Sequence, residues 1–486
     1  MGFLHVEGIN FDSCIFDTSD ISTIRGGSML LESLGSELSS RLTLPLVDAG
    51  AGRAVFALPE GGWERIAGEL ARFLGSDPWR HFSIITGTGE TRGAARSSAI
   101  LSAPSQWSIP PFDAKGATGP DPEDFKRPAT KCETDKDGKK TRLVSASVKE
   151  RRDVARRKRP VLYPEDGGLV PPQSFESIVV TTEELPFVVR NKIAVVVVDG
   201  MGGGKLRAAY ERAGGVFYTA KTAFYDRLAE RIRTWMAAEG LVLREKGVTA
   251  GQCDVLLWGG DDMTFFMPAR KVMSFVRLFL DYGAGPFDPA GVPKLRFPHR
   301  LGVVIAHVRT PFRQMWHMAG QAEHMVKQGM TRADRYGESA VAFALFESDA
   351  LPHGALSEHW HRIYGGAHEP EAEVFTRAEF ARFVDFCRET RAGEDGSGDA
   401  LSLSQIYRVL QLGRLSGAEG SPPRSLTHRD TDRAVRNLLA SHLERAGRDV
   451  DALNAWGEVA ERRSLAVLLA QVAQLAPYVE ASFPRI

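Results

Sequence analysis

The chain has 486 residues, 43% hydrophobic and 25% charged, with a formal net charge of zero. That length is too great for one hydrophobic core and points to about three units, while zero net charge gives no whole-molecule attraction to nucleic acid. No apolar run approaches the roughly 18 residues that span a bilayer. The four cysteines, Cys14, Cys132, Cys253 and Cys387, form no CxxC pair, so reduced thiols in a cytoplasmic protein are expected and zinc is not.

The opening MGFLHVEGINFDSCIF lacks the basic flank and continuous apolar segment of a signal peptide and reads as a first strand. In ISTIRGGSMLL the Gly-Gly-Ser step suits a strand-to-helix connection, with Ser28 as the expected N-cap and Arg25 within reach of a phosphate. Residues 48 to 89 then carry a glycine-containing tip, an apolar strand ending in Pro, an amphipathic helix and another strand. Residues 103 to 176 are rich in Pro, Gly and charge and read as a linker or extended insertion. Within them residues 139 to 160 hold ten Lys or Arg against two acids. That density suits RNA phosphate, although no aromatic residue is interleaved for base stacking and a solvated charge run has the same composition.

KIAVVVVDG, with Val195 to Val198 in succession, predicts a strand buried on both faces. Asp199 stands where it emerges, at the customary functional edge of a sheet. Gly202, Gly203 and Gly204 leave backbone N–H groups free for phosphate oxygens, and Lys205 adds countercharge. DVLLWGGDDMTFFMP then predicts a hairpin, with Gly259 and Gly260 at its tip and Asp261 and Asp262 beside them. Adjacent carboxylates are hard oxygen ligands for magnesium or manganese, and a strand-end Asp199 can join them around two ions. A solvated acidic turn has the same local sequence.

Downstream, residues 299 to 329 carry an apolar run, a Pro and a stretch that includes Lys327, and residues 336 to 350 carry another apolar run. Helical periodicity fills the remainder, with Thr376 and Ser402 as expected N-caps. His307 reads as a structural group after an apolar strand, and the His359–His361 pair lacks the Cys or Glu pattern of a zinc site. Lys221 and Lys271 have no positional reason to be chosen over Lys205 and Lys327.

The ordered set from Asp199 through GGDD, the helix carrying Lys327 and the strand after it resembles the palm domain of GGDEF-type nucleotide cyclases. It resembles more closely the CRISPR polymerase, the large subunit of type III CRISPR interference complexes. The match spans about residues 190 to 350. ISTIRGGSMLL is similar to that family's N-terminal palm, and LSLSQIYRVL to its C-terminal domain. The resemblance implies an α+β fold with two ferredoxin-like palm domains in tandem and a C-terminal helical bundle. The expected boundaries are 1–102 for the first palm, 103–180 for the insertion, 181–350 for the GGDD palm and 351–486 for the helical domain. Gly50-Ala51-Gly52-Arg53 aligns with Gly259-Gly260-Asp261-Asp262, and Asp17 loosely with Asp199, so the first palm is expected to be catalytically dead.

The implied activity is metal-dependent conversion of ATP to a cyclic oligoadenylate in antiviral defence. Asp199, Gly200, Asp261 and Asp262 would hold two Mg²⁺ or Mn²⁺ ions, and Gly200, Gly202–Gly204, Lys205, Gly259, Gly260 and Lys327 would bind nucleotide. The implied partners are guide and target RNA and the small subunits of an effector complex. No His-Asp dipeptide occurs, so the family's HD nuclease domain is expected to be absent. Two alternatives stand beside this reading: a stand-alone homodimeric cyclic (di)nucleotide synthase, and a non-catalytic RNA-binding scaffold subunit.

Overall fold

A computed structural model describes most of residues 2–390 together with 465–482. Residues 107–116, 135–140, 164–168, 213–216, 286–295, 348–353, 365–372, 391–464 and 483–486, with a few shorter stretches and isolated positions, lie outside the described residues. Ser402 is among them.

The N-terminal unit runs β1 (Gly2–Ile9), α1 (Ile21–Leu42), β2 (Leu46–Gly50), β3 (Arg53–Leu58), α2 (Gly62–Leu74), β4 (Ser83–Gly89) and α3 (Arg92–Gln106). Its four strands form an antiparallel sheet in the order β2-β3-β1-β4. Helix α1 starts at Asp20, whose carboxylate accepts from the Thr23 amide at 2.8 Å. Ser28, expected as the cap, lies buried inside the helix. The glycines before it have a packing role, because a Cβ at Gly26 would stand 1.7 Å from the Arg151 carbonyl oxygen.

Arg151 belongs to a hairpin of β5 (Lys131–Thr134) and β6 (Thr141–Val144) followed by α4 (Ala146–Arg157), which crosses α1 at that point. The basic run is therefore folded in part, and several of its arginines point inward. Arg151 Nη1 donates to Asp17 at 2.8 Å, Arg152 pairs with Asp20 and Glu133, and Arg156 pairs with Glu133. The Arg151 and Arg152 guanidiniums are buried and engaged by carboxylates, while Arg156 stays partly exposed beside Glu133.

The second unit runs β7 (Lys192–Gly200), α5 (Gly203–Arg212), α6 (Phe217–Ala238), β8 (Asp254–Gly259), β9 (Asp262–Pro268), α7 (Val272–Ala284), β10 (His299–His307), α8 (Phe312–Arg332), β11 (Ala340–Leu345), α9 (Leu356–Tyr364), β12 (Val374–Thr376) and α10 (Arg377–Thr390), with α11 (Leu465–Ser482) at the end. Its sheet has the order β8-β9-β7-β10-β11-β12. The first four positions repeat the N-terminal sheet, with the first strand inside, the hairpin on one side and the fourth strand on the other. β10 and β11 are parallel, joined by the α8 crossover.

The valine run is apolar throughout because both of its faces are covered. Val196 and Val198 share a core with Phe224, Phe265, Phe275 and Phe279 beneath α6 and α7. Val195 shares a second core with Phe266, Phe312 and Met315, and with Leu4, Phe16 and Leu31 of the N-terminal unit. One core thus belongs to both units. Arg25 helps to join them: its guanidinium donates to Asp254 at 2.5 Å and to the Pro172 carbonyl at 2.9 Å, both buried, so it holds the interior rather than a phosphate.

Thr376 and Glu379 exchange side-chain to backbone hydrogen bonds at 3.4 and 2.8 Å, which forms a capping box at the start of α10. Helix α11 closes over α7 through Val472, Leu475 and Val479. Among the described residues no helix is long and apolar enough to cross a membrane.

Candidate active site

The site forms at the end of β7, where β9 and β10 flank it. β8 and β9 pair Gly259 with Asp262 around a two-residue turn of Gly260 and Asp261. Gly260 has φ +81, while Asp261 is not among the left-handed residues. Glycine at the first central position is the requirement of a type II′ hairpin, whose twist matches the strands. A Cβ on Gly260 would also stand 2.7 Å from Lys221 Cε, so the residue leaves room for a lysine to cross the tip.

Along β7 and β9 the register reaches Val198 opposite Met263. Carried one step further it sets Asp199 opposite Asp262, and the next step sets Gly200 opposite Asp261. A Cβ on Gly200 would lie 2.7 Å from that of Asp261, which matches this register. The carboxylates expected from sequence are therefore neighbours across two strands. The same register in the first unit pairs Arg53 with Glu7. Glu7, and not Asp17, thus occupies the place of Asp199; Asp17 lies beyond β1, buried between Arg127 and Arg151.

Each carboxylate has its own electrostatic surroundings. Lys221 of α6, itself buried, donates to Asp261 Oδ1 at 2.7 Å. Burial alone would raise the Asp261 carboxyl, but the Lys221 charge and hydrogen bond, helped by Arg53, hold it below the ordinary range. Asp262 is pushed up to about 6 by burial and then by the neighbouring Asp261 charge, against the opposing fields of Lys221, Arg53 and Lys327. Asp199 is paired with Arg300 of β10, which also reaches the Gly200 carbonyl at 3.4 Å and lies 2.7 Å from Glu323 of α8.

The donor chemistry of Asp261 and Asp262 fits a hard divalent cation. Two acids stand together, and burial and then the charge of its neighbour raise the second, an opposition that a cation would relieve. Asp199 and Gly200 are less ready, because the Arg300 guanidinium is already on both. Among the described residues no group of three His, Cys, Asp or Glu side chains forms a metal site.

Of the expected phosphate-binding groups, Gly203 and Gly204 open α5, and Lys327 lies on α8 with its charge felt by Asp262. Gly202 and the Lys205 side chain lie outside the described residues. Lys221, Arg300 and Arg53 are the cations that sequence reasoning passed over. No periodic or motif signal marks Lys221 or Arg300, each of which meets its carboxylate only through the packing of distant segments; Arg53 is marked by its alignment with Asp262, and its own ion pair is with Asp48 of the same hairpin. His299, next to Arg300, is fully buried with Nε2 3.0 Å from the Tyr225 hydroxyl; burial pushes it down to about 4 and keeps it neutral. His307 receives the Arg309 amide at 3.3 Å, and His359 packs on Phe346.

No protein-family model and no curated protein matches the chain. Among solved structures, Csm1 of T. onnurineus matches over 98% of this chain and 69% of that one, at 13% identity and a TM-score of 0.53. A Csm1–Csm4 cassette in complex with cA3 matches over 99% and 69% at 13% identity and 0.52. The cassette with one ATP matches over 98% and 70% at 13% identity and 0.51. A mixed α+β chain with this sheet order, and with its acidic hairpin at the end of a doubly buried strand, shares the fold of Csm1, the type III CRISPR polymerase large subunit, along nearly its whole length.

Proposed function

We propose that this chain is a metal-dependent nucleotidyltransferase that joins ATP into a cyclic oligoadenylate. The observation that carries this reading is the placement of Asp261 and Asp262 on a type II′ hairpin beside the Asp199–Gly200 strand end. It is supported by a fold shared with Csm1 proteins solved with ATP and with cA3. In this reading the two sheets are tandem ferredoxin-like palms, the first degenerate and the second active. The C-terminal helices dock small subunits of an effector complex, as the Csm1–Csm4 pairing suggests, and RNA is the trigger.

Asp261 and Asp262 would hold the ions, with Asp199 joining once Arg300 is displaced toward Glu323. When bound, magnesium or manganese supplies activation of the attacking hydroxyl and neutralisation of the triphosphate. Gly259 and Gly260 let the substrate lie against the hairpin, and Gly203, Gly204, Lys205 and Lys327 bind phosphate. The 3′-oxygen of one nucleotide bonds to the α-phosphorus of the next, the bond to the β-phosphate oxygen breaks, pyrophosphate leaves and the hydroxyl proton passes to water.

The test is incubation of the purified chain, alone and with target RNA and small subunits, with ATP and Mg²⁺ or Mn²⁺, read by mass spectrometry. A cyclic or linear adenylate is expected, and Asp261→Asn with Asp262→Asn reduces it to background. Full activity in that double variant refutes the site.

A second reading, a non-catalytic scaffold subunit, has its own observation: Lys221 and Arg300 already neutralise Asp261 and Asp199 without a metal. It prevails if the wild-type assembly yields no product.

A further inference from the structure

The hairpin whose tip lacks carboxylates stands against the hairpin whose tip has them. A Cβ on Gly50 would lie 3.4 Å from the Gly259 carbonyl oxygen and 3.9 Å from Lys221 Nζ, so the two tips meet beside the Lys221 ammonium. Arg53 holds in the first hairpin the place of Asp262 in the second, since Gly50 pairs with Arg53 as Gly259 pairs with Asp262. Its side chain is 32% exposed, and its charge reaches both Asp261 and Asp262.

Asp48 steadies it. This carboxylate is buried, with Oδ2 3.6 Å from Arg53 Nη2 and 2.9 Å from Arg207 Nη1, which donates to it. Arg207 belongs to α5, the helix that opens at the glycine run. One carboxylate of the first unit therefore joins its own hairpin to helix α5 of the second. The cations at this contact differ in what they have left to give. Lys221 is committed to Asp261, and Arg207 donates to Asp48 and Glu211. The Arg53 contact is an ion pair too long for a hydrogen bond. A planar guanidinium fork with donors to spare matches the non-bridging oxygens of a phosphate.

We infer that Arg53 is a substrate-binding residue of the second unit's site, reaching across the hairpin contact to the polyphosphate of a nucleoside triphosphate, with Asp48 as its positioning residue. This rests on the nucleotidyltransferase reading. The same Arg that costs the first hairpin its metal thereby serves the second, and the N-terminal unit contributes to a site it does not itself contain.

The experiment is equilibrium binding of ATP and AMP, with Mg²⁺, to the full chain and to Arg53→Ala, Arg53→Lys and Asp48→Asn, with melting temperatures and the KM for ATP alongside. Arg53→Ala is expected to weaken ATP about tenfold or more, as loss of a charged hydrogen bond does, and AMP much less. Arg53→Lys recovers part of the loss, because a point charge replaces the fork. Asp48→Asn falls between wild type and Arg53→Ala. Equal ATP affinity and KM in wild type and Arg53→Ala overturns the inference even where wild type makes product. So does an equal loss of ATP and AMP binding with a lowered melting temperature in both Arg53 variants, which marks a structural arginine. Arg53-dependent ATP binding without any oligoadenylate sustains the inference and sinks the proposed activity instead.

Discussion

Lys221 Nζ lies 2.7 Å from Asp261 Oδ1, carried there by a helix that crosses the hairpin tip at Gly260. The ammonium is buried and the carboxylate partly so, and together they hold the turn closed over the end of β7. Removing the cation leaves two adjacent carboxylates with less compensation. Lys221→Met is expected to cost about 2 kcal/mol in metal-free protein, below the loss for a fully buried pair because Asp261 still meets solvent. Mg²⁺ should restore more stability to this variant than to wild type. Thermal melting with EDTA and with Mg²⁺ checks both, and identical melting temperatures in EDTA would show that the pair contributes nothing.

Burial sets the charge of His299. Its folded pKa of about 4 lies below the unfolded value of about 6.5, so the unfolded chain binds more protons between those values. Its contribution to stability is complete above about 6.5 and is lost as pH falls toward 4. Urea unfolding at a series of pH values should show this slope, and His299→Gln should flatten it. A slope of the same size in the variant would assign the acid sensitivity to other groups.

At the crossing of α1 and α4, Gly26 admits no side chain. Gly26→Ala should separate the helices and cost about 3 kcal/mol or more, the penalty of overpacking with no flexible neighbour to yield. Gly68 in α2 has nothing within 4 Å of an added Cβ. Gly68→Ala should stabilise by about 0.5–1 kcal/mol through the unfolded state. Denaturation midpoints for the two variants should move in opposite directions; a shared direction would refute the packing account.

Arg25 and Asp254 form a buried pair between α1 and the start of β8. Arg25→Met alone leaves the Asp254 carboxylate uncompensated and should cost about 3–5 kcal/mol. Arg25→Met with Asp254→Leu should recover most of that loss. A double-mutant cycle measures the coupling, and simple additivity would mean that the two do not depend on each other.

Local physics made much of this protein legible in its sequence. Four successive valines read as a strand covered on both faces, and a Gly-Gly-Asp-Asp tip between apolar runs reads as a tight turn, so β7 and the hairpin follow from short-range pattern. The repeat of a glycine tip, apolar strand and helix at residues 48 to 89 is a pattern of the same kind. Thr376 was visible as a cap because capping is settled within four residues. Ser28 was misread for the complementary reason: a Gly-Gly-Ser step looks like a helix start until another helix is seen lying on it.

Which charges meet depends on how distant segments pack. Asp261 finds Lys221 40 residues away, Asp199 finds Arg300 101 residues away, and Arg25 finds Asp254 229 residues away. Nothing in the intervening sequence encodes those distances. A carboxylate ligand, a buried ion pair and a solvated turn share one local sequence, and they differ only in what the rest of the chain brings within a few ångströms. Short-range pattern is enough to build an acidic hairpin beside a strand-end aspartate; the packing of two sheets against a common core sets Lys221, Arg300 and Arg53 around it.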